Sequence, residues 1–146
     1  MWRAAAAALL LAPPAWAQSP ALLELDRAAR AIAAAGCARP AEEKTTRVGS
    51  TDDEMRSVDC RSHRIAYYRS GGREQPMALV VQGRGTDLPL ALAPGSKPAD
   101  VMAVLGAPAE RREHTLVYLP RPRDRVSFEI DDNERVRAVS FSWDVD

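Results

Sequence analysis

Apolar residues recur with helical spacing in the stretch that follows Pro20. Ser19 is a suitable N-cap before this proline, and Gly36 can end a helix in a left-handed conformation. The charged residues fall largely on other sides of the helical wheel. The pattern predicts an amphipathic helix over residues 20–36 whose apolar positions are Leu22, Leu25, Ala29 and Ile32.

Residues 38–59 show no apolar period. The segment is polar, and Val48 and Met55 are its bulky apolar exceptions. We expect a long loop here, with one helical turn near residues 50–54. A loop of this length in a small domain is either functional or disordered, and both alternatives stay open.

Two strands are predicted next, over residues 64–69 and 77–82. Both segments are rich in residues that favour a pleated surface, Ile65 and Tyr67 among them. Residues 70–76 between them combine glycines with a proline, which is turn chemistry. A β-hairpin is the simplest arrangement of this part.

The clearest helix of the chain is predicted over residues 97–105. Ser96 precedes it as a good N-cap, and Gly106 stands where a helix commonly ends. Residues 88–93 before it alternate around a proline and predict an edge strand. The apolar stripe of this helix consists of Val101, Val104 and Leu105.

Alternation of apolar and polar residues marks the C-terminal part. Residues 115–119 predict one strand, and two more strands are joined by an acidic turn at residues 131–134. One face of these strands is apolar and the other is polar. The apolar positions of the last two are Val126, Phe128, Ile130, Val139, Phe141 and Trp143.

These elements predict an α+β fold in which helices pack on one face of an antiparallel sheet. The order helix, strand, strand occurs in both halves, so two degenerate helix–sheet units are an alternative. Residues 18–87 would carry the first helix, the loop and the hairpin. Residues 88–146 would carry the second helix and its strands, within one compact domain.

Residues 94–108, with the sequence PGSKPADVMAVLGAP, resemble the helix signature of the SmpA/OmlA family. These are small envelope proteins that support outer-membrane protein assembly, and a similar unit occurs in β-lactamase-inhibitor-like proteins. The resemblance covers residues 88–141 and continues through the strand patterns at 116–118, 126–128 and 136–139. It implies a helix followed by an antiparallel sheet, and a binding role in the envelope. Family members are typically lipoproteins, whereas no cysteine follows directly on the leader segment of this chain.

Residues 1–17 have the three-part pattern of a secretory signal peptide. Arg3 is followed by the apolar run 4–11, and small residues then precede a cleavage position between Ala17 and Gln18. The apolar run is too short to span a bilayer. The pattern predicts a periplasmic or secreted protein.

Cys37 and Cys60 are the only cysteines. In an exported protein such a pair predicts a disulfide, here closing a loop of about 23 residues that contributes ~3 kcal/mol. Free thiols are one alternative. A Cys2His2 metal site with His63 and His114 is another, although zinc modules normally begin with two closely spaced cysteines.

The charge pattern argues against several classes of partner. Twenty basic residues balance twenty acidic ones, which gives no electrostatic footprint for nucleic acid. The basic residues at 121, 123 and 125 are interrupted by a proline and an aspartate, and predict a solvated loop. No later segment is apolar enough to anchor the chain in a membrane.

No catalytic motif occurs, and we expect no catalytic, cofactor-binding or metal-binding residues. The acidic pairs at 52–53 and 131–132 lie in predicted loops, and two histidines are few for acid–base chemistry. The sequence favours a non-enzymatic binding or scaffolding domain with an envelope protein as partner. Alternatives are a secreted inhibitor of an envelope hydrolase and a small cofactor-free enzyme using groups among the serines and Cys37, Cys60, His63 and His114.

Overall fold

The structure, a computed structural model, describes residues 19–83 and 87–145. The predicted signal segment, with cleavage between Ala17 and Gln18, lies outside the described residues. The helices of the described part are α1 Pro20–Ala35, a short 3-10 helix Leu90–Leu92, and α2 Pro98–Leu105. The strands are β1 Glu42–Arg47, β2 Glu54–Asp59, β3 His63–Ser70, β4 Arg73–Val81, β5 Glu110–Arg112, β6 Thr115–Arg121, β7 Asp124–Ile130 and β8 Val136–Ser142.

All of these strands belong to one antiparallel sheet. It has eight strands in the order β1-β2-β3-β4-β8-β7-β6-β5. The two halves of the chain meet at its centre, where β4 pairs with β8 and Leu79 lies opposite Phe141. The outer edges of the sheet are therefore β1 and β5.

The predicted α+β fold class is wrong. One sheet dominates the described part of the chain, of which 43% is strand and 22% is helix, and the two α-helices are small. The alternative of two helix–sheet units is also wrong, because one buried core contains residues of both helices and of both halves of the sheet. In addition, α1 contacts β4 in one half and β6 in the other.

The predicted loop over residues 38–59 is wrong as well, since β1 and β2 form a hairpin there. Every residue of β1 is exposed, and Val58 is the only buried residue of β2. A strand with no buried residue, or with a single one, shows no apolar alternation, so the sequence pattern could not reveal these two strands. The same reason explains why β5, which is Glu-Arg-Arg, was not predicted.

The first predicted helix is confirmed as α1. The hydroxyl of Ser19 accepts a hydrogen bond from the backbone N–H of Leu22 at 3.1 Å. Gly36 ends the helix with a φ of +62°, a value that side chains with a Cβ rarely adopt. The buried residues of α1 are Leu22, Leu25, Asp26, Ala29 and Ala33.

The predicted hairpin of β3 and β4 is confirmed, with a shorter turn than expected. Gly71 and Gly72 have φ values of +57° and +77°. Two such residues form the tight turn whose twist suits a hairpin. The strand β4 therefore begins at Arg73 rather than at residue 77.

The helix α2 is confirmed, but its predicted cap is not. Its N-cap is Lys97, without a side-chain hydrogen bond, whereas the hydroxyl of Ser96 donates to the carbonyl oxygen of Leu90 at 2.7 Å. That contact fastens the segment 88–93, which holds the 3-10 helix instead of the predicted edge strand.

The apolar stripe of α2 is narrower than the sequence suggested. Val101 and Leu105 are buried, but Val104 is 41% exposed. At the C-terminal end of α2, the hydroxyl of Tyr118 donates a hydrogen bond to the carbonyl oxygen of Gly106 at 2.8 Å.

The three predicted C-terminal strands are present as β6, β7 and β8. The strand β6 continues through Pro120 to Arg121, which pairs with Asp124 of β7. The predicted basic loop is therefore reduced to a tight turn at residues 122 and 123. Val126 and Phe128 are buried as expected, while Ile130 is half-buried.

Candidate functional site

The two faces of the sheet differ in what covers them. Cross-strand pairing places Ile65, Leu79, Phe141, Val126 and Tyr118 in one row on the same face. All five are buried. Both helices lie over this face, since Tyr67 donates to the carbonyl oxygen of Ala33 in α1 and Tyr118 donates to Gly106 beside α2.

The opposite face carries small side chains. Within the described part of the chain neither helix lies over it. The strand registers define its middle rows, in which Val117, opposite Ser127, is buried. Seven further residues of these rows are small and, except for the last one named below, half-buried. We call this surface the open face: Ser57, Ala66, Ala78, Val80, Ser127, Ser140 and Ser142.

Ion pairs border the open face on both sides. On the β2–β3 side Arg64 lies 3.7 Å from a carboxylate oxygen of Asp59. On the β5–β7 side Arg125 lies 3.6 Å from Glu110, and Glu129 forms a second ion pair with Arg137 at 3.2 Å. These groups are largely exposed, so the surface has a small-residue centre and a charged rim of both signs.

Larger side chains mark the ends of the open face. Met55 and Leu119 are 36% and 43% exposed, which is unusual for large apolar residues of this molecule. Beside Met55, the Tyr68 hydroxyl donates a hydrogen bond to Asp53. This bond lowers the pKa of Asp53 and raises the pKa of Tyr68. The carboxylate at this end therefore stays ionised, and the phenol stays neutral.

A cleft of about 600 Å³ lies elsewhere, between α2 and the turns that join β5 to β6 and β7 to β8. Met102 and Ile130 contribute apolar surface to it. Its remaining walls carry charged groups of both signs, such as Arg111 and Asp132. In the described part of the chain these groups do not form a buried, convergent polar set of the kind that fixes a small ligand.

Cys37 and Cys60 form the predicted disulfide, with their Cα atoms 5.9 Å apart. The bond joins the segment after α1 to the end of β2. The Cys2His2 metal alternative is wrong, because the two sulfur atoms that it requires are bonded to each other. His114 also lies in the other half of the sheet, in the turn between β5 and β6.

His63 is half-buried at the start of β3. Its Nδ1 lies 3.0 Å from the hydroxyl of Ser62. Its Nε2 is buried and has no hydrogen-bond partner within the described residues. Burial lowers the pKa of this histidine, and the charge of Asp59 opposes that shift. A catalytic serine–histidine pair needs a third group that orients the base, and none of the described residues bonds Nε2.

The acidic pairs of the sequence lie in separate turns. Asp52 and Asp53 belong to the connection between β1 and β2, whereas Asp131 and Asp132 belong to the β7–β8 turn. Asp131 serves that turn by accepting hydrogen bonds from the backbone N–H groups of Asn133 and Arg135. The structure therefore does not bring the two acidic pairs together.

The open face was not singled out from the sequence. Its serines and alanines alternate with the apolar residues that were assigned to the core, as Ser127 does with Val126 and Phe128. The alternation was visible. Whether a helix covers the face that carries these serines and alanines could only be learned from the positions of the helices.

Comparison of the chain with protein-family models, with curated proteins and with solved structures finds no match. The resemblance to the SmpA/OmlA family therefore stays a prediction. Among the described residues, no helix is long and apolar enough to cross a membrane.

Proposed function

We propose that this chain is a non-enzymatic protein-binding or scaffolding domain of the cell envelope. Its partner is an envelope protein, and the open face is the surface that binds it. The observation that supports this most is the arrangement of that face, a broad half-buried strip of small residues with no helix over it in the described structure.

The composition of the open face suits a protein partner. Protein interfaces have a centre depleted of charge and a polar rim. Here Ala78, Val80 and Ser140 occupy the centre, and the Asp59–Arg64 and Glu110–Arg125 pairs lie at the sides. Small side chains also let another backbone or an inserted aromatic ring approach the sheet closely.

The rigidity of the open face also supports the proposal. It is built on β-strands whose other side belongs to the buried core, so its shape is largely fixed before a partner arrives. Val80, for example, lies between the buried residues Leu79 and Val81 of the same strand.

Export is the second part of the proposal. The disulfide agrees with an oxidising compartment, where such bonds persist. The N-terminal pattern of residues 1–17 adds a route to that compartment.

The proposal is tested with variants that block the open face. Ser140→Arg places a long charged side chain at its centre, and co-purification of the envelope partner should then be lost. Ala99→Arg is the matched control, because Ala99 is exposed on α2 and lies outside this surface. Equal recovery of the partner with both variants would contradict the proposal. A single hydrolase as the recovered partner would identify the domain as an inhibitor.

A further inference from the structure

The strand β1 leaves one row of backbone groups unpaired. The N–H of Val48 donates to the carbonyl oxygen of Asp53, and the β1–β2 register extends this inward pairing to Thr46, Lys44 and Glu42. The intervening residues of β1 direct their backbone N–H and C=O groups away from β2. These outward residues are Glu43, Thr45 and Arg47.

In the described structure no strand lies beyond β1. Edge strands are often protected by charged side chains, which repel other edges when the charges are alike. The outward residues of β1 are instead an acid, a neutral residue and a base, in that order. Such an order is complementary to its own reverse.

This complementarity is seen when two β1 strands are placed side by side in antiparallel orientation. With a two-fold axis at Thr45, Glu43 of each copy lies opposite Arg47 of the other copy, and Thr45 lies opposite Thr45. Opposite charges and threonine pairs at facing positions each stabilise a sheet. The contact between Glu43 and Arg47 occurs twice in this pairing, because the two copies are equivalent.

Neighbouring registers lack this complementarity. An axis at Lys44 places two lysines opposite each other, and an axis at Glu43 or at Arg47 also opposes like charges. An axis at Thr46 places Thr45 opposite Arg47 and leaves the acid without a base. The charge pattern of β1 therefore selects the register centred on Thr45.

The two charged side chains are accessible for such contacts. Arg47 is exposed and has no ion pair among the described residues. Glu43 uses its Oε1 for Arg56 at 2.6 Å, which leaves Oε2 for a second arginine. A carboxylate can accept from two guanidinium groups in this way.

We propose that β1 is a self-association edge through which two copies of this chain form an antiparallel dimer centred on Thr45. The two eight-stranded sheets then become one continuous sheet, joined by about six backbone hydrogen bonds. Lys44 and Thr46 lie on the same side of the sheet as the open face. The dimer therefore carries two open faces on one surface.

The dimer is weak and depends on concentration. A single short strand buries much less than the ~1,600 Å² of a standard protein interface. Its ion pairs lie at the surface, so added salt weakens them.

The test is sedimentation velocity of the full chain over a series of concentrations. The native protein should pass from monomer to dimer as its concentration rises. Glu43→Arg alone and Arg47→Glu alone should each weaken the dimer about tenfold or more, because each creates two like-charge contacts. Lys44→Glu, whose side chain faces Thr46 of the other copy, should dimerise as the native chain does.

Mixing the two charge variants provides the decisive arm. In an equimolar mixture the introduced arginine faces the introduced glutamate and the native Arg47 faces the native Glu43, so a heterodimer should form. Heterodimer formation also shows that both variants are folded. A native chain that stays monomeric at every concentration, or a mixture that remains monomeric, overturns the proposal.

Cross-linking through an introduced cysteine tests the register without changing any charged residue. Thr45→Cys should give a covalent dimer under mild oxidation, because position 45 faces itself across the axis, whereas Thr46→Cys should not. Equal cross-linking at both positions would overturn the register. None of these results depends on the binding partner, so they are separate from the test of the open face.

Discussion

Asp26 in α1 accepts a hydrogen bond from the indole Nε1 of Trp143 at 2.8 Å, across 117 residues of chain. Its other carboxylate oxygen accepts from Nε of Arg30 at 3.0 Å, and Arg30 also donates to Asp124 at 2.9 Å. The guanidinium carbon of Arg30 lies 5.0 Å from the ring centre of Trp143. A buried carboxylate is tolerated only when it is paired and hydrogen-bonded, as it is here. The network therefore fixes α1 to the start of β7 and to the end of the chain.

Trp143→Phe should lower the free energy of unfolding by about 1.5–3 kcal/mol. The substitution removes the donor to a buried carboxylate but keeps an aromatic ring next to Phe141. Denaturant unfolding measures the change. Arg137→Ala, at an exposed position, should stay within about 0.5 kcal/mol of the native value. Equal stability of the two variants would show that the Asp26–Trp143 bond contributes little.

Leu105→Ala should destabilise the protein by about 2–5 kcal/mol, because it opens a cavity where α2 meets the core. Val104→Ala, one residue earlier on the exposed side, should change stability by about 0.5 kcal/mol or less. Gly106→Ala should also destabilise, since the φ of Gly106 is +82°. A mild effect of Leu105→Ala, measured by the same unfolding experiment, would mean that α2 is not docked on the sheet.

Removal of the disulfide through Cys37→Ser with Cys60→Ser should cost about 3 kcal/mol, because the unfolded chain loses a closed loop. Thiol titration of the denatured, unreduced native protein should detect no free sulfhydryl. Two titratable thiols would show that the bond does not form in the isolated protein.

Stability should fall as the pH decreases through 6.5. The folded-state pKa of His63 is lowered from 6.5, mainly by burial, so the unfolded chain binds a proton in a pH range where the folded protein does not. The contribution is present above 6.5 and is lost between 6.5 and the lower folded-state pKa. His63→Gln should remove this part of the pH profile, as measured by unfolding at each pH. His114→Gln, at an exposed position, should retain it.

The sequence predicted those elements in which one side of a helix or strand is apolar. The alternation of Val126, Phe128 and Ile130 and the helical spacing of Leu22, Leu25 and Ala29 reflect burial on one side, and these elements are present. The hairpin of β1 and β2 escaped prediction because backbone pairing alone, without a buried side chain in β1, forms its outer strand.

The candidate site was less accessible to sequence reasoning than the fold. Ser127 and Ser140 are ordinary polar alternates of core residues, and only their pairing across β7 and β8 joins them into one surface. Likewise the polarity of Asp26 gives no sign of burial, because its partner Trp143 is distant in sequence. Both features depend on long-range register, which local periodicity does not contain.

The claim that the open face binds an envelope protein is tested most directly by photo-cross-linking in intact cells. A photoreactive residue replaces Ser140 in one variant and the exposed Ala99 of α2 in another. One defined protein adduct should form from position 140 and should be absent at position 99. That adduct should disappear when Ser127→Arg is added beside position 140. The absence of any adduct at position 140, or the same adduct from position 99, would show that the open face does not bind the partner.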